Sequence, residues 1–141
     1  MAASKEIVVN VDLVGEEQLR IGYNSPMLAD HVLDYAGAPQ EVKPGQMRRL
    51  LCASAVGCFA DSVYFMLIGR GVEVRAMHST GTLHSDVGDN PLGAIHIHVE
   101  VEIDDEAVPT LDRVRELLAK GCLVTRGLAR GMPITHEIVR I

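Results

Sequence analysis

The 141-residue sequence predicts an α+β fold, one domain over residues 1–141 built from an antiparallel sheet, a long buried central helix and a second helix. Three observations carry this. Segments that alternate apolar and polar residues come in pairs joined by turn-forming residues, which is the pattern of hairpins rather than of the single strands in a doubly wound sheet. Residues 46–69 form one long, almost uncharged apolar stretch. With 48% hydrophobic and 23% charged residues the chain also has enough apolar side chain to build a core.

Residues 6–14, EIVVNVDLV, are β-branched and partly alternating, and residues 19–23, LRIGY, repeat the pattern after the polar Gly15-Glu16-Glu17-Gln18 turn, so a hairpin is expected. Residues 24–46 are broken by Pro26, Gly37, Pro39, Pro44 and Gly45, leaving room for one short strand at 31–33. Residues 46–69, QMRRLLCASAVGCFADSVYFMLIG, read as a helix stopped by Gly69. Because Asp61 is its one charge between Arg49 and Arg70, the helix is expected to be covered on most of its circumference, in the middle of the fold or of a dimer.

Residues 72–85 and 93–103 both alternate with period two around the turn signal at 86–91 and form an antiparallel hairpin with one face on the core. An acidic loop at 104–110 leads to Thr110 as the N-cap of a helix running to Leu118 or Ala119. Cys122 to Ala129 reads as a shorter helix, and the alternating PITHEIVRI of residues 133–141 as a closing strand.

Thirteen Lys and Arg against nineteen Asp and Glu give a net charge of −6 with no basic cluster, which disfavours nucleic acid as a partner. The scarcity of aromatic residues, 4%, removes the stacking platforms of single-strand binders. The N-terminal segment lacks the pattern of a signal peptide and nothing reaches ~20 uninterrupted apolar residues, so no membrane association and a cytoplasmic location are expected. Three cysteines without a CxxC spacing argue against a disulfide scaffold and a structural zinc site.

Cys58 lies in mid-helix after Gly57 and reads either as a small packing residue or, given a nearby cation, as a reactive thiol. Cys122 lies at the start of the short helical segment, a position that lowers a thiol pKa, and packing is again the alternative. The two can meet if their helices cross. Cys52 is about 600° and ~9 Å from Cys58 along a helix, so the two thiols diverge by about 120° and Cys52 reads as packing. Asp61, one turn after Cys58 on the same face, calls for a partner such as Arg126 or Arg130. His96 and His98 alternate with Ile95, Ile97 and Val99, which puts both rings on the outer sheet face; with His78, His84 or His136 as a third ligand they can hold a transition metal, but a polar sheet face is the plainer reading and no metal or cofactor is expected.

The helix RRLLCASAVGCFADSVYFMLIG, the hairpin after it and the later KGCLVTRGLARGMPITHEI together resemble the OsmC/Ohr family of thiol-dependent hydroperoxide reductases, from Pro44 to the end of the chain. Leu50, Leu51, Ala53, Gly57 and Cys58 fit the family's first cysteine motif, and Cys122, Val124, Thr125 and Leu128 its second; the 64-residue spacing of the thiols is also similar. The resemblance implies an intertwined homodimer, Cys58 as the thiolate that attacks a small apolar peroxide, Cys122 as the thiol that resolves the sulfenic acid, and an unidentified thiol reductant. The family's proline and glutamate fall here on Met47 and Arg48, so Arg48 is a candidate source of positive charge from across a dimer, and Arg20 is the candidate for the arginine of the N-terminal strands. Two other functions stay open at this point. One is a cysteine-dependent hydrolase or acyl-transfer enzyme using Asp61 and a histidine; the other is a non-catalytic binder of small apolar ligands.

Overall fold

The computed structural model describes residues 6–85 and 89–141. The expected turn at 86–91 therefore lies partly outside the described residues. The chain, read above as one domain, groups into two compact units, Met1–Gly45 and Gln46–Ile141.

The first unit is a three-stranded antiparallel sheet in the order β1 (Asn10–Gly15), β2 (Gln18–Gly22), β3 (His31–Asp34). The expected hairpin is present. A register shift between Leu13 and Gly15 and a positive φ of 54° at Glu17 close its turn. Among the described residues of this unit Ile21 is the one buried side chain, and Ile7, Leu13 and Met27 stay largely in solvent.

The second unit opens with α1 (Gln46–Ile68), followed by β4 (Ala76–His84), β5 (Ala94–Glu102), α2 (Val108–Leu117), α3 (Leu123–Leu128) and β6 (Ile134–Arg140). Its sheet has the order β4-β5-β6. The alternation in β5 is realised as read: Ile95, Ile97, Val99 and Val101 are buried, while the residues between them are only partly covered. Helix α1 packs against β4, β5, α2 and α3, and its Phe59, Val63 and Leu67 join the β5 side chains and Leu111 and Val114 of α2 in one core. At Gly81 the helix comes so close to β4 that a Cβ would stand 3.0 Å from the Cys52 sulfur and 3.1 Å from Val56 Cβ. Cys52 is thus a packing residue between helix and sheet.

Three expectations are corrected. The sheet is mixed, because β6 runs parallel to β5 (Ile95 opposite Ile134, Val101 opposite Arg140), and α2 and α3 supply the long crossover that parallel neighbours require. Helix α1 does not run through the middle of its own chain's fold: Ala53, Gly57, Asp61 and Phe65 face solvent there, since a sheet covers only one side of a helix, and of the two readings above coverage within a dimer is the one left open. Thr110 is not an N-cap. The 3-10 turn Asp105–Ala107 runs directly into α2, whose first turn holds Pro109, a residue suited there because its missing N–H has no helical acceptor to serve. By length and composition the segment Gln40–Ile68 is also apolar enough to cross a bilayer, and of its side chains Phe59, Val63 and Leu67 are buried in the core.

Candidate functional site

Cys58 occupies the middle of α1, where its side chain is partly covered, and Cys122 is the N-cap of α3, 5% exposed. The packing of α1 on α3 brings the two thiols near enough for each to shift the proton affinity of the other. Both are free. The backbone N–H of Val124 points its positive end toward both sulfurs and pulls each thiol down. One turn of α3 thus presents a sulfur and a backbone donor to Cys58.

The local chain builds the Cys122 end through a reciprocal cap. Gly121, at φ +91°, turns the backbone into the helix, and Cys122 enters in extended conformation with φ −89° and ψ −176°. Its N–H donates to Thr125 Oγ1 at 2.8 Å, and the Thr125 N–H donates back to the Cys122 sulfur, which lies 3.3 Å from the same hydroxyl. Thr125 is 2% exposed. This is a capping box in which cysteine replaces the usual serine or threonine.

These contacts split the two thiols electrostatically. Burial pushes the Cys58 thiol up, and sharing its proton with Cys122, together with the negative charges of Cys122 and Asp61, pushes it further, against the pull of the Val124 N–H. Burial pushes Cys122 up as well, but the Thr125 hydroxyl, the Thr125 N–H, the Cys58 thiol and the Val124 N–H outweigh it and bring Cys122 below its ordinary value. Of the two thiols Cys122 is therefore the more readily ionised.

The other candidates fall as follows. Asp61 is exposed and acts on Cys58 by its charge; among the described residues neither Arg126 nor Arg130 pairs with it, because on the open face of α1 water solvates the carboxylate. Arg48 donates to Ser85 Oγ at 2.8 Å and sits ten residues, about 15 Å, before Cys58 on the helix, so it serves the end of β4 and not the thiol of its own chain. Arg20 pairs across its own sheet with Asp12 at 3.4 Å and Asp30 at 4.0 Å.

His96 and His98 lie on the outer face as expected, tied by His96 Nδ1 to Thr135 Oγ1 at 2.6 Å and by His98 Nδ1 to Glu137 Oε1 at 2.7 Å. His136, considered above as a third ligand, is on the opposite face with its ring 4.5 Å from that of Phe59. Among the described residues no group of three side chains converges as metal ligands would. A cavity of about 400 Å³ lined by Arg70, Glu73, Asp104 and Thr110 includes neither Cys58 nor Cys122.

The sequence reading missed the part that Val124 and Thr125 play. The Cys-x-x-Thr spacing of a capping box was available as a signal for Thr125. For Val124 the functional group is a backbone N–H, which side-chain identity does not announce.

A family model described as OsmC-like protein matches residues 40–137. Solved structures of similar fold include the OsmC like protein from Mycoplasma pneumoniae, 15% identical with a TM-score of 0.64 over 99% of both chains. They also include two organic hydroperoxide resistance proteins. That of Legionella pneumophila is 14% identical with a TM-score of 0.59 over 99% of this chain and 100% of that one. That of Elizabethkingia anophelis is 13% identical with a TM-score of 0.62 over 99% and 98%. No curated protein matches the chain by sequence.

Proposed function

Since this chain belongs to the OsmC-like protein family, whose structural neighbours include proteins named for organic hydroperoxide resistance, we propose that it is a thiol peroxidase that reduces small apolar organic hydroperoxides through Cys58 and Cys122. The observation that carries the reading is the approach of these two thiols where α1 packs on α3, near enough for each to shift the other's proton affinity.

The chemistry follows from Cys122 being the more readily ionised of the two thiols. As a hydroperoxide, ROOH, approaches the more accessible sulfur, Cys58 passes its proton to the Cys122 thiolate and attacks the terminal peroxide oxygen. The O–O bond breaks, Cys58 becomes a sulfenic acid, and the leaving alkoxide takes the proton from Cys122 to depart as ROH. Cys122, again a thiolate, attacks the Cys58 sulfur; the S–S bond forms, and the hydroxide that leaves combines with a proton from solvent as water. A dithiol reductant then returns both cysteines to thiols. In this scheme Cys122 is first base, then acid, then nucleophile, which suits its low pKa and its fixed position. No carboxylate is required at the place of Arg48.

A homodimer belongs to the same proposal. It is supported by the apolar side chains left in solvent by the single chain, among them Ile7, Leu13, Met27 and Phe65. The free thiols fit a reducing, cytoplasmic setting.

Stopped-flow oxidation with cumene hydroperoxide followed by non-reducing mass spectrometry tests the reaction. The expected result is a Cys58–Cys122 disulfide formed far faster than a free thiol is oxidised, abolished by Cys58→Ser; Cys122→Ser is expected to lose the disulfide and accumulate oxidised Cys58. A Cys58 no more reactive than free cysteine rejects the peroxidase. Sedimentation equilibrium returning twice the 15.3 kDa chain mass is the expected result for the homodimer.

A further inference from the structure

Thr125 has a buried hydroxyl whose hydrogen-bonding capacity is spent entirely on Cys122. Its oxygen accepts from the Cys122 N–H at 2.8 Å, and its one proton has two acceptors in reach, the Cys122 sulfur at 3.3 Å and the Cys122 carbonyl at 3.4 Å. At 2% exposure, water does not compete for these contacts. The backbone is shaped around them: an added Cβ at Gly121 would come within 2.4 Å of Thr125 Oγ1. Mere helix capping needs the acceptor oxygen alone. The approach of the hydroxyl to the sulfur is additional to that, and it acts on the atom that closes the disulfide.

We infer that Thr125 is a positioning residue for the resolving step: its hydroxyl fixes the Cys122 sulfur toward Cys58 and donates to that sulfur whenever it is a thiolate. This inference rests on the reading of Cys58 and Cys122 as a redox pair. A charged acceptor draws the hydroxyl proton away from the neutral carbonyl, since hydrogen bonds to ions are roughly twice as strong as those between neutral groups. The thiolate is thereby kept available and aimed. The bond that forms in the step is S–S, the bond that breaks is the S–O of the Cys58 sulfenic acid, and Thr125 gives up no proton. The low position of the Cys122 thiol is consistent with this role.

The test is the pH dependence of iodoacetamide alkylation at each cysteine, resolved by mass spectrometry in the full-length protein, for wild type, Thr125→Val and Thr125→Ser. In the wild type Cys122 is expected to alkylate with a midpoint below that of a free thiol. Thr125→Val, of nearly equal shape, is expected to raise the Cys122 midpoint by about one pH unit, so that alkylation near neutrality is about tenfold slower, and to leave Cys52 unchanged; Thr125→Ser is expected to restore the wild-type profile. Under excess cumene hydroperoxide the valine variant should also carry more Cys58 to sulfinic acid, because a slower resolving thiol leaves the sulfenic acid exposed for longer to a second equivalent of the oxidant.

A Thr125→Val profile that overlays the wild type, or a serine variant that does not restore it, overturns the inference. If the valine variant does not fold, the wild-type profile decides, a Cys122 midpoint at or above that of a free thiol being the overturning result. The alkylation profile needs no peroxide, so a protein that passes this test and forms no disulfide with cumene hydroperoxide rejects the peroxidase and keeps Thr125 as the residue that holds Cys122.

Discussion

Replacing Gly121 by alanine separates two contributions that the structure superimposes at the entry to α3. The residue sits at φ +91°, where an L side chain costs roughly 1–2 kcal/mol. The new Cβ would also stand 2.4 Å from Thr125 Oγ1 and 3.4 Å from Thr125 Cβ, so the threonine must turn away. That removes the acceptor of the Cys122 N–H in a buried place, a loss of about 1–3 kcal/mol. Together these give a destabilisation of about 2–5 kcal/mol. For a domain near 100 residues each kcal/mol moves Tm by roughly 4–8 °C, so a fall of at least ~8 °C is expected.

Gly71→Ala supplies the control. Gly71 has φ +79°, but a Cβ added there would meet nothing within 4 Å, so only the conformational part should be lost. Equilibrium urea unfolding of both variants measures the difference between them, expected at about 1–3 kcal/mol. Equal losses in the two variants refute the claim that Thr125 is held by close contact with the backbone at Gly121.

Two further outcomes follow. Phe59→Ala, at a fully buried position stacked on the His136 ring, should cost about 3–5 kcal/mol in urea unfolding, and a loss below ~1 kcal/mol would place the helix–sheet core elsewhere. Glu137→Gln should lower the His98 midpoint in an NMR titration, because the hydrogen bond to Glu137 is the chief cause that raises His98, with Glu100 next, and the same bond lowers Glu137. The sign follows from both partners: the His98 contribution is complete below the ordinary histidine pKa and is lost as pH rises through the raised one, and the Glu137 contribution is complete above the ordinary carboxylate pKa and is lost as pH falls through the lowered one. The pair is therefore worth most at mildly acidic pH. A His98 midpoint unmoved in the glutamine variant would exclude that bond in solution.

What could be read along the chain is what depends on near neighbours. The period-two alternation of residues 93–103 told which side of β5 is core and put His96 and His98 outside, because successive side chains of a strand must point to opposite faces. The apolar stretch at 46–69 told of a helix ending near Gly69, and the start of the short helical segment told where Cys122 sits. The Cys-x-x-Thr cap was equally local, and its signal was present although it went unread.

The rest was set by packing between remote segments. Whether β6 pairs parallel or antiparallel with β5 depends on how α2 and α3 carry the chain back across the sheet, and nothing in ITHEIVR encodes direction. The one-sided burial of α1 depends on which face meets the sheet, and a helix of nearly uniform apolar character does not choose that face itself. The meeting of Cys58 with Cys122 and the Val124 N–H depends on α1 crossing α3, a contact between segments 64 residues apart. Periodicity reports the forces acting within a turn of helix or a pair of strand residues; the approach of remote segments is set by how all the apolar faces are covered at once.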